Sequence, residues 1–267
     1  MMSSAFDHED LRVYQAAIEF VAWHDEVAPG ITSKVSACDH LDRASAGVPV
    51  NIAQASGKRS MSDRRQFIDT AYGSALECAA CLDVLCLLGC LQTATVHVGK
   101  TRLSALVSML VGFRKSTGRE VREEGAAYVT AGHDGTKVWF DHERLDVYRK
   151  ALEFVAWCGR LRNEGDTPRS TMTALDRAST GVALNIAEGN GKFSTKDRCR
   201  FIGHARTAAL QAAANLDVYA VRQAKSKPAV VAGKKQLVDV VRMLIAWERS
   251  LEENEHGPRT RTPTRTR

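Results

Sequence analysis

The stretch Leu41–Gly57, LDRASAGVPVNIAQASG, returns at Leu175–Gly191 as LDRASTGVALNIAEGNG. The same offset of 134 residues aligns Phe6 with Phe140, Trp23 with Trp157, Phe67 with Phe201, Gly99 with Gly233 and Met109 with Met243, with no gap. A register kept over that length means that one folding unit was duplicated whole. Within the quoted stretch Leu41, Ala44, Ser45, Val48 and Ile52 recur every three or four residues, which predicts an amphipathic helix whose buried face is built from small side chains. Gly57 in one copy, and Gly189 with Gly191 in the other, end that helix.

Three more helices flank it in each copy. Leu11, Tyr14, Ile18 and Val21 place a first helix over residues 6–28, with Asp7 to Asp10 supplying acid at its N-terminal dipole. The quoted stretch is the second helix, from Lys34 to Ala55, and Pro49 removes the amide facing the Ser45 carbonyl, which predicts a kink. Ser60 or Ser62, and Ser194 or Thr195 in the other copy, cap a third helix running through Phe67, Ile68, Ala71, Ala75, Leu82 and Leu85. A fourth covers residues 98–115, where Leu103, Leu106, Leu110 and Phe113 match Leu237, Val240, Leu244 and Trp247. Four amphipathic helices with short connections make an up-and-down bundle. The expected fold class is therefore all-α, two tandem up-and-down four-helix bundles: a tail at 1–5, a first bundle at 6–116, a linker at 117–139, a second bundle at 140–250 and a basic disordered tail at 251–267.

The 267 residues leave room for two cores, and 44% hydrophobic with 25% charged residues is the balance of a soluble globular protein. No apolar run approaches the ~20 residues that span a bilayer, and the opening MMSSAFDHED lacks the basic start and apolar core of a secretory signal, so a cytoplasmic protein without a membrane partner is expected. Five of the seven cysteines lie in the first copy and none aligns with Cys158 or Cys199, which excludes a disulfide framework common to both halves. The net charge of +6 is uneven: residues 6–116 carry 11 basic against 12 acidic side chains, and residues 140–250 carry 19 against 12. Only the second copy is basic.

Motifs of catalysis are missing. Cys78 and Cys81 have metal-ligand spacing but sit inside a helix, with Cys86 and Cys90 elsewhere on its wheel, so they read as small buried thiols. A di-iron bundle needs Glu-x-x-His on two helices, and only Glu253 to His256 has that spacing, in the polar tail. No P-loop, dinucleotide fingerprint or nucleophilic triad is present, so neither an enzyme nor a cofactor nor a metal is expected. Arg43 and Glu77, on the second and third helices, are expected to form a structural interhelix pair, with Arg177 and Gln211 as its twin.

The string L-R-R-A-x-x-x-V-x-x-N-I-A-E-G, followed by a basic loop and then F-x-x-x-A-x-G-S-x-x-E, resembles the four-helix-bundle family of 23S rRNA intervening-sequence proteins, which is similar to the accessory variability protein of diversity-generating retroelements. The second copy carries the first motif as Asn185, Ile186, Ala187, Glu188 and Gly189, but has Thr207, Ala208 and Gln211 in the second. The first copy carries the second motif as Ala71, Gly73, Ser74 and Glu77, but has Gln54 and Ala55 in the first. Each copy keeps the motif that the other has lost. The resemblance implies a small non-enzymatic protein that forms homo-oligomers and, in the retroelement branch, basic bundles that bind nucleic acid and a reverse transcriptase.

The basic residues carry the functional expectation. Lys192, Lys196, Arg198, Arg200 and Arg206 follow the turn between the second and third helices of the second copy, and Lys225, Lys227, Lys234 and Lys235 surround its next turn. With Arg259 and Arg261 of the tail, they are expected to line nucleic acid phosphates, RNA rather than DNA. Reading of single-stranded bases is not expected. The alternative expectation is a scaffold that binds only protein.

Overall fold

A computed structural model describes residues 6–31, 34–117, 130–131, 137–163, 168–222 and 227–256. The first bundle consists of α1 (Arg12–Val27), α2 (Ser36–Ser56), α3 (Met61–Leu87) and α4 (Thr93–Ser116). The second consists of α5 (Asp146–Asn163), α6 (Arg169–Asn190), α7 (Thr195–Arg222) and α8 (Lys227–His256). Between them Thr130–Ala131 and Lys137–Val138 pair antiparallel, within the stretch expected to be a plain linker. The disordered tail expected at 251–267 starts later than that, because α8 continues through His256, and the rest of it, from residue 257, lies outside the described residues.

Local chemistry sets the helix ends. The first helix begins at Arg12 rather than Phe6, because Asp7–Asp10 forms a separate 3-10 turn and Leu11 is extended. Glu9 makes that turn by accepting the Phe6 amide at 3.2 Å. Asp141–Arg144 repeats the turn in front of α5. Of the alternative caps, Ser60 Oγ accepts the Asp63 amide and Ser194 Oγ accepts the Asp197 amide at 3.0 Å. Gly89, at φ 70°, supplies the left-handed residue that closes α3. Helix α2 continues unbroken through Pro49, which is buried, and α4 starts five residues earlier than its apolar stripe suggests.

Inside each bundle α2 lies along α3, and α6 along α7, through small residues: Ala44, Ala71, Ala75 and Ala79 are all buried. The α1–α4 contact is set by a tryptophan in a glycine notch. A Cβ on Gly99 would lie 2.3 Å from Trp23 Cη2, and one on Gly233 would lie 2.5 Å from Trp157 Cη2. Helix α3, contrary to expectation, is long and apolar enough to cross a membrane by length and composition. Its apolar side chains, Ile68, Leu76, Leu82, Val84 and Leu85 among them, are instead buried in the protein core.

The notch gives a test with two opposite signs. Gly99→Ala forces a rigid ring to move and should lower stability by about 1–3 kcal/mol. Gly112→Ala, with nothing within 4 Å of the new methyl, should raise it by up to ~1 kcal/mol through helix propensity. Thermal melts of the two variants against the parent chain check both.

Candidate functional site

The bundles meet where α3, flanked by α2 and α4, packs on α5 and α6. Beside these contacts Lys100, on α4, bonds to Asp83 of α3 and to Glu143 Oε1 of the second bundle at 2.9 Å. Tyr148 donates from its hydroxyl to Asp83 Oδ2 at 3.0 Å. Glu143 Oε2 also accepts the Trp139 amide at 2.9 Å, so each carboxylate has more than one donor. Burial works against the charged form of Lys100, but Asp83 and Glu143 outweigh it and raise its pKa. Burial likewise raises Glu143, against the pull of Lys100.

His142 lies beside this cluster, stacked on Phe140 and edge-on to Tyr148. It is fully buried, and neither ring nitrogen has a hydrogen-bond partner in the protein. Burial, then the charge of Lys100, lowers its pKa to about 3, so the ring is neutral at pH 7. Ligand atoms of Asp83, His142 and Glu143 lie within 4.8 Å of one another, a spacing that a cation could use. Lys100 bonds both carboxylates and supplies the positive charge itself. The cluster therefore acts as a buried pin between bundles.

A second region of the junction joins the two retained motifs. Gly73 of α3 faces Glu188 and Lys192: a Cβ there would lie 3.0 Å from Glu188 Oε1 and 2.7 Å from Lys192 Nζ. Glu188 accepts from Lys192 at 2.8 Å. Gly191 is packed under Leu76 and Tyr72, leaving no room for a side chain. Phe193 lies 5.3 Å from Tyr72, and the Arg114 guanidinium is 3.8 Å above its ring. Ser36 donates its amide to Asp176 Oδ2 at 2.7 Å. The G-S-x-x-E of the first copy and the N-I-A-E-G of the second are thus held against each other across one interface.

Several residues expected to reach solvent are engaged here or in their own bundle. Lys192 turns inward, bonded to Glu188 and 4.4 Å over Phe201. Arg198 closes the α6–α7 turn by donating to the Lys192 carbonyl at 2.9 Å. Arg206 pairs with Glu248 at 2.7 Å, and Lys234 pairs with Asp217. Arg200 is exposed with Asp197 at 3.2 Å, and Lys196 and Lys235 are exposed. Lys225, Arg259 and Arg261 lie outside the described residues, as does the side chain of Lys227. The expected direct pair of Arg43 and Glu77 is interrupted by His40, whose Nδ1 lies 2.8 Å from Glu77 Oε1 and 3.2 Å from Arg43 Nη2. No hydrogen bond joins Arg177 to Gln211; both line an open groove of about 610 Å³ with Arg169 and Asn215. Ala174 stands in that groove where the first copy has His40, which leaves the space unfilled.

Sequence reasoning missed the pin. Its signal was present, because Asp83, Lys100, Glu143 and Tyr148 each recur at the 134-residue offset, as Asp217, Lys234, Glu9 and Tyr14.

His142 makes the junction sensitive to acid. Its folded pKa of about 3 lies below the unfolded value of 6.5, so below pH 6.5 the unfolded chain binds a proton that the folded chain refuses. Stability falls as pH drops through this window, by up to about 1.4 kcal/mol per pH unit from this group. Replacing it by phenylalanine, His142→Phe, should flatten the melting temperature between pH 6 and pH 4 relative to the parent; identical pH profiles would refute the assignment.

No curated protein and no solved structure matches the chain. The family described as 23S rRNA-intervening sequence protein matches it twice, over residues 9–112 and 143–246, two segments in the register of the internal repeat. The chain belongs to the 23S rRNA-intervening sequence protein family and carries two copies of its bundle in tandem.

Proposed function

We propose that the chain is a non-enzymatic accessory protein that binds the backbone of structured RNA through its second bundle. The family's name ties it to ribosomal RNA, and the charge excess of the second copy supplies the means. The observation that carries the reading is a stripe on α8. Lys235, Arg242 and Arg249 are exposed, form no ion pair among the described residues, and recur every seven residues, about 10 Å apart along the helix. Thr101, Ser108 and Lys115 occupy the equivalent places on α4, so two of the three cations are particular to the second copy.

Lys196 and Arg200, at the start of α7, extend the exposed positive surface. Arg177 adds to it in the open groove, where the carboxylate of the first copy, Glu77, has become Gln211. Lys192, Arg198 and Arg206 play a supporting part, since their bonds lie within the protein. An RNA held together with a reverse transcriptase, as the likeness to retroelement accessory proteins implies, uses this same surface. Phosphate contacts of this kind position a helix without reading sequence, and their strength falls steeply with salt.

The test is binding of the full chain to a ribosomal RNA fragment and to matched duplex DNA across a salt series, beside a Lys235→Ala, Arg242→Ala, Arg249→Ala variant. The parent should bind the RNA, and the triple variant should lose about two units of the log–log salt slope together with affinity for every RNA tried. A parent that binds neither polynucleotide at low salt, or a variant that binds as the parent does, refutes the reading.

A further inference from the structure

The open groove between α6 and α7 differs from its twin in one direction. In the first bundle the place is closed, because His40 stands between Arg43 and Glu77 with its Nδ1 within 3.2 Å of both. At the 134-residue offset Arg43 is kept as Arg177, but His40 has become Ala174 and Glu77 has become Gln211. Loss of the imidazole opens the space, and loss of the carboxylate leaves the guanidinium without its partner. Two further changes act the same way: Asp39 is replaced by Thr173, and Val35 by Arg169. One cation with two acids has become two cations, with no acid among the residues that line the groove. We propose that this groove binds a free mononucleotide, at a site separate from the α8 stripe.

Each wall has a part in such a site. Arg169 and Arg177 are eight residues apart on α6, about 12 Å along the helix. A guanidinium takes a phosphate through two parallel N–H donors, and its plane also stacks on the ring of a base. One arginine holds the phosphate and the other covers the base. Gln211 and Asn215, one turn apart on α7, supply the facing wall. A carboxamide offers donor and acceptor side by side, the pattern that the edge of a base presents. Ala174 and Ala178 leave a floor of methyl groups on which a flat ring can lie.

These groups are unclaimed by the protein. Among the described residues, no ion pair or hydrogen bond engages the side chains of Arg169, Arg177, Gln211 or Asn215. The space of about 610 Å³ is more than an inorganic anion fills and is in the range of small-molecule sites. A simple dicarboxylate would engage the guanidinium groups and leave the carboxamides to water. A mononucleotide uses both sets. Its phosphate monoester carries a charge of about −2 at pH 7, which two unpaired arginines match, whereas each phosphodiester of a polymer carries a single charge.

Titration calorimetry of the full chain at low salt tests this, with the four ribonucleoside 5′-monophosphates beside their nucleosides, ribose 5-phosphate and inorganic phosphate. At least one mononucleotide should bind, one per chain. Its nucleoside and ribose 5-phosphate should each bind at least about tenfold more weakly, because each lacks half of the contacts. Arg177→Ala should cost about tenfold or more in affinity. Ala174→His with Gln211→Glu rebuilds the arrangement of Arg43, His40 and Glu77 that the first bundle already accommodates, so it should abolish binding while the melting temperature stays close to the parent's. The Lys235→Ala, Arg242→Ala, Arg249→Ala variant should bind the nucleotide as the parent does, which separates a failure of this site from a failure of RNA binding by α8. The proposal is overturned if no mononucleotide binds at millimolar concentration, if the refilled groove binds as well as the open one, if ribose 5-phosphate binds as tightly as the nucleotides, or if the α8 variant loses nucleotide binding.

Discussion

One ammonium group, that of Lys100, is bonded to carboxylates from two bundles, and the arrangement of the molecule follows from it. Removed from water, three charges are tolerable only with every donor and acceptor in place. Asp83 is therefore also held by Tyr148, and Glu143 by the Trp139 amide. These partners come from both copies, so the bundles have one register in which the cluster is satisfied. A slide by one helical turn would part Glu143 from Lys100 and Tyr148 from Asp83. The apolar contact supplies adhesion, and the ionic cluster selects the alignment.

That alignment explains how the two copies diverged. N-I-A-E-G survives in the second copy and G-S-x-x-E in the first, and these are the two segments that press together, with Gly73 admitting Glu188 and Lys192. A glycine is needed where a side chain from the other bundle occupies the space of a Cβ. Across the rest of the repeat the need for that fit was lifted: Thr207 replaces Gly73, and Gln54 replaces Glu188. The second copy is basic while the first is close to neutral.

The repeat, its helices and much of the core were legible in the linear sequence. Trp23 with Gly99 and Trp157 with Gly233 recur at one offset, and both pairs proved to be the same notch. The fate of the charges was harder to read. Lys192 lies in a basic run and resembles its neighbours Lys196 and Arg200, yet it turns toward Glu188 and the first bundle, while they face water. Arg43 and Glu77 sit at the right helical positions to pair, but His40, one turn away from Arg43, reaches Glu77 first.

By itself the sequence determined the duplication, the all-α class, the buried stripe of each helix and the uneven charge, because all of these are periodicities or sums along a chain. Only the tertiary structure decided which face of one bundle meets which face of the other, and so which of two identical sets of residues is a buried pin and which is an open surface. Asp83 and Lys100 are the same residue types as Asp217 and Lys234, at the same places in their bundles. What separates them is the neighbour across the junction, and a neighbour brought close by folding leaves no periodicity in the sequence.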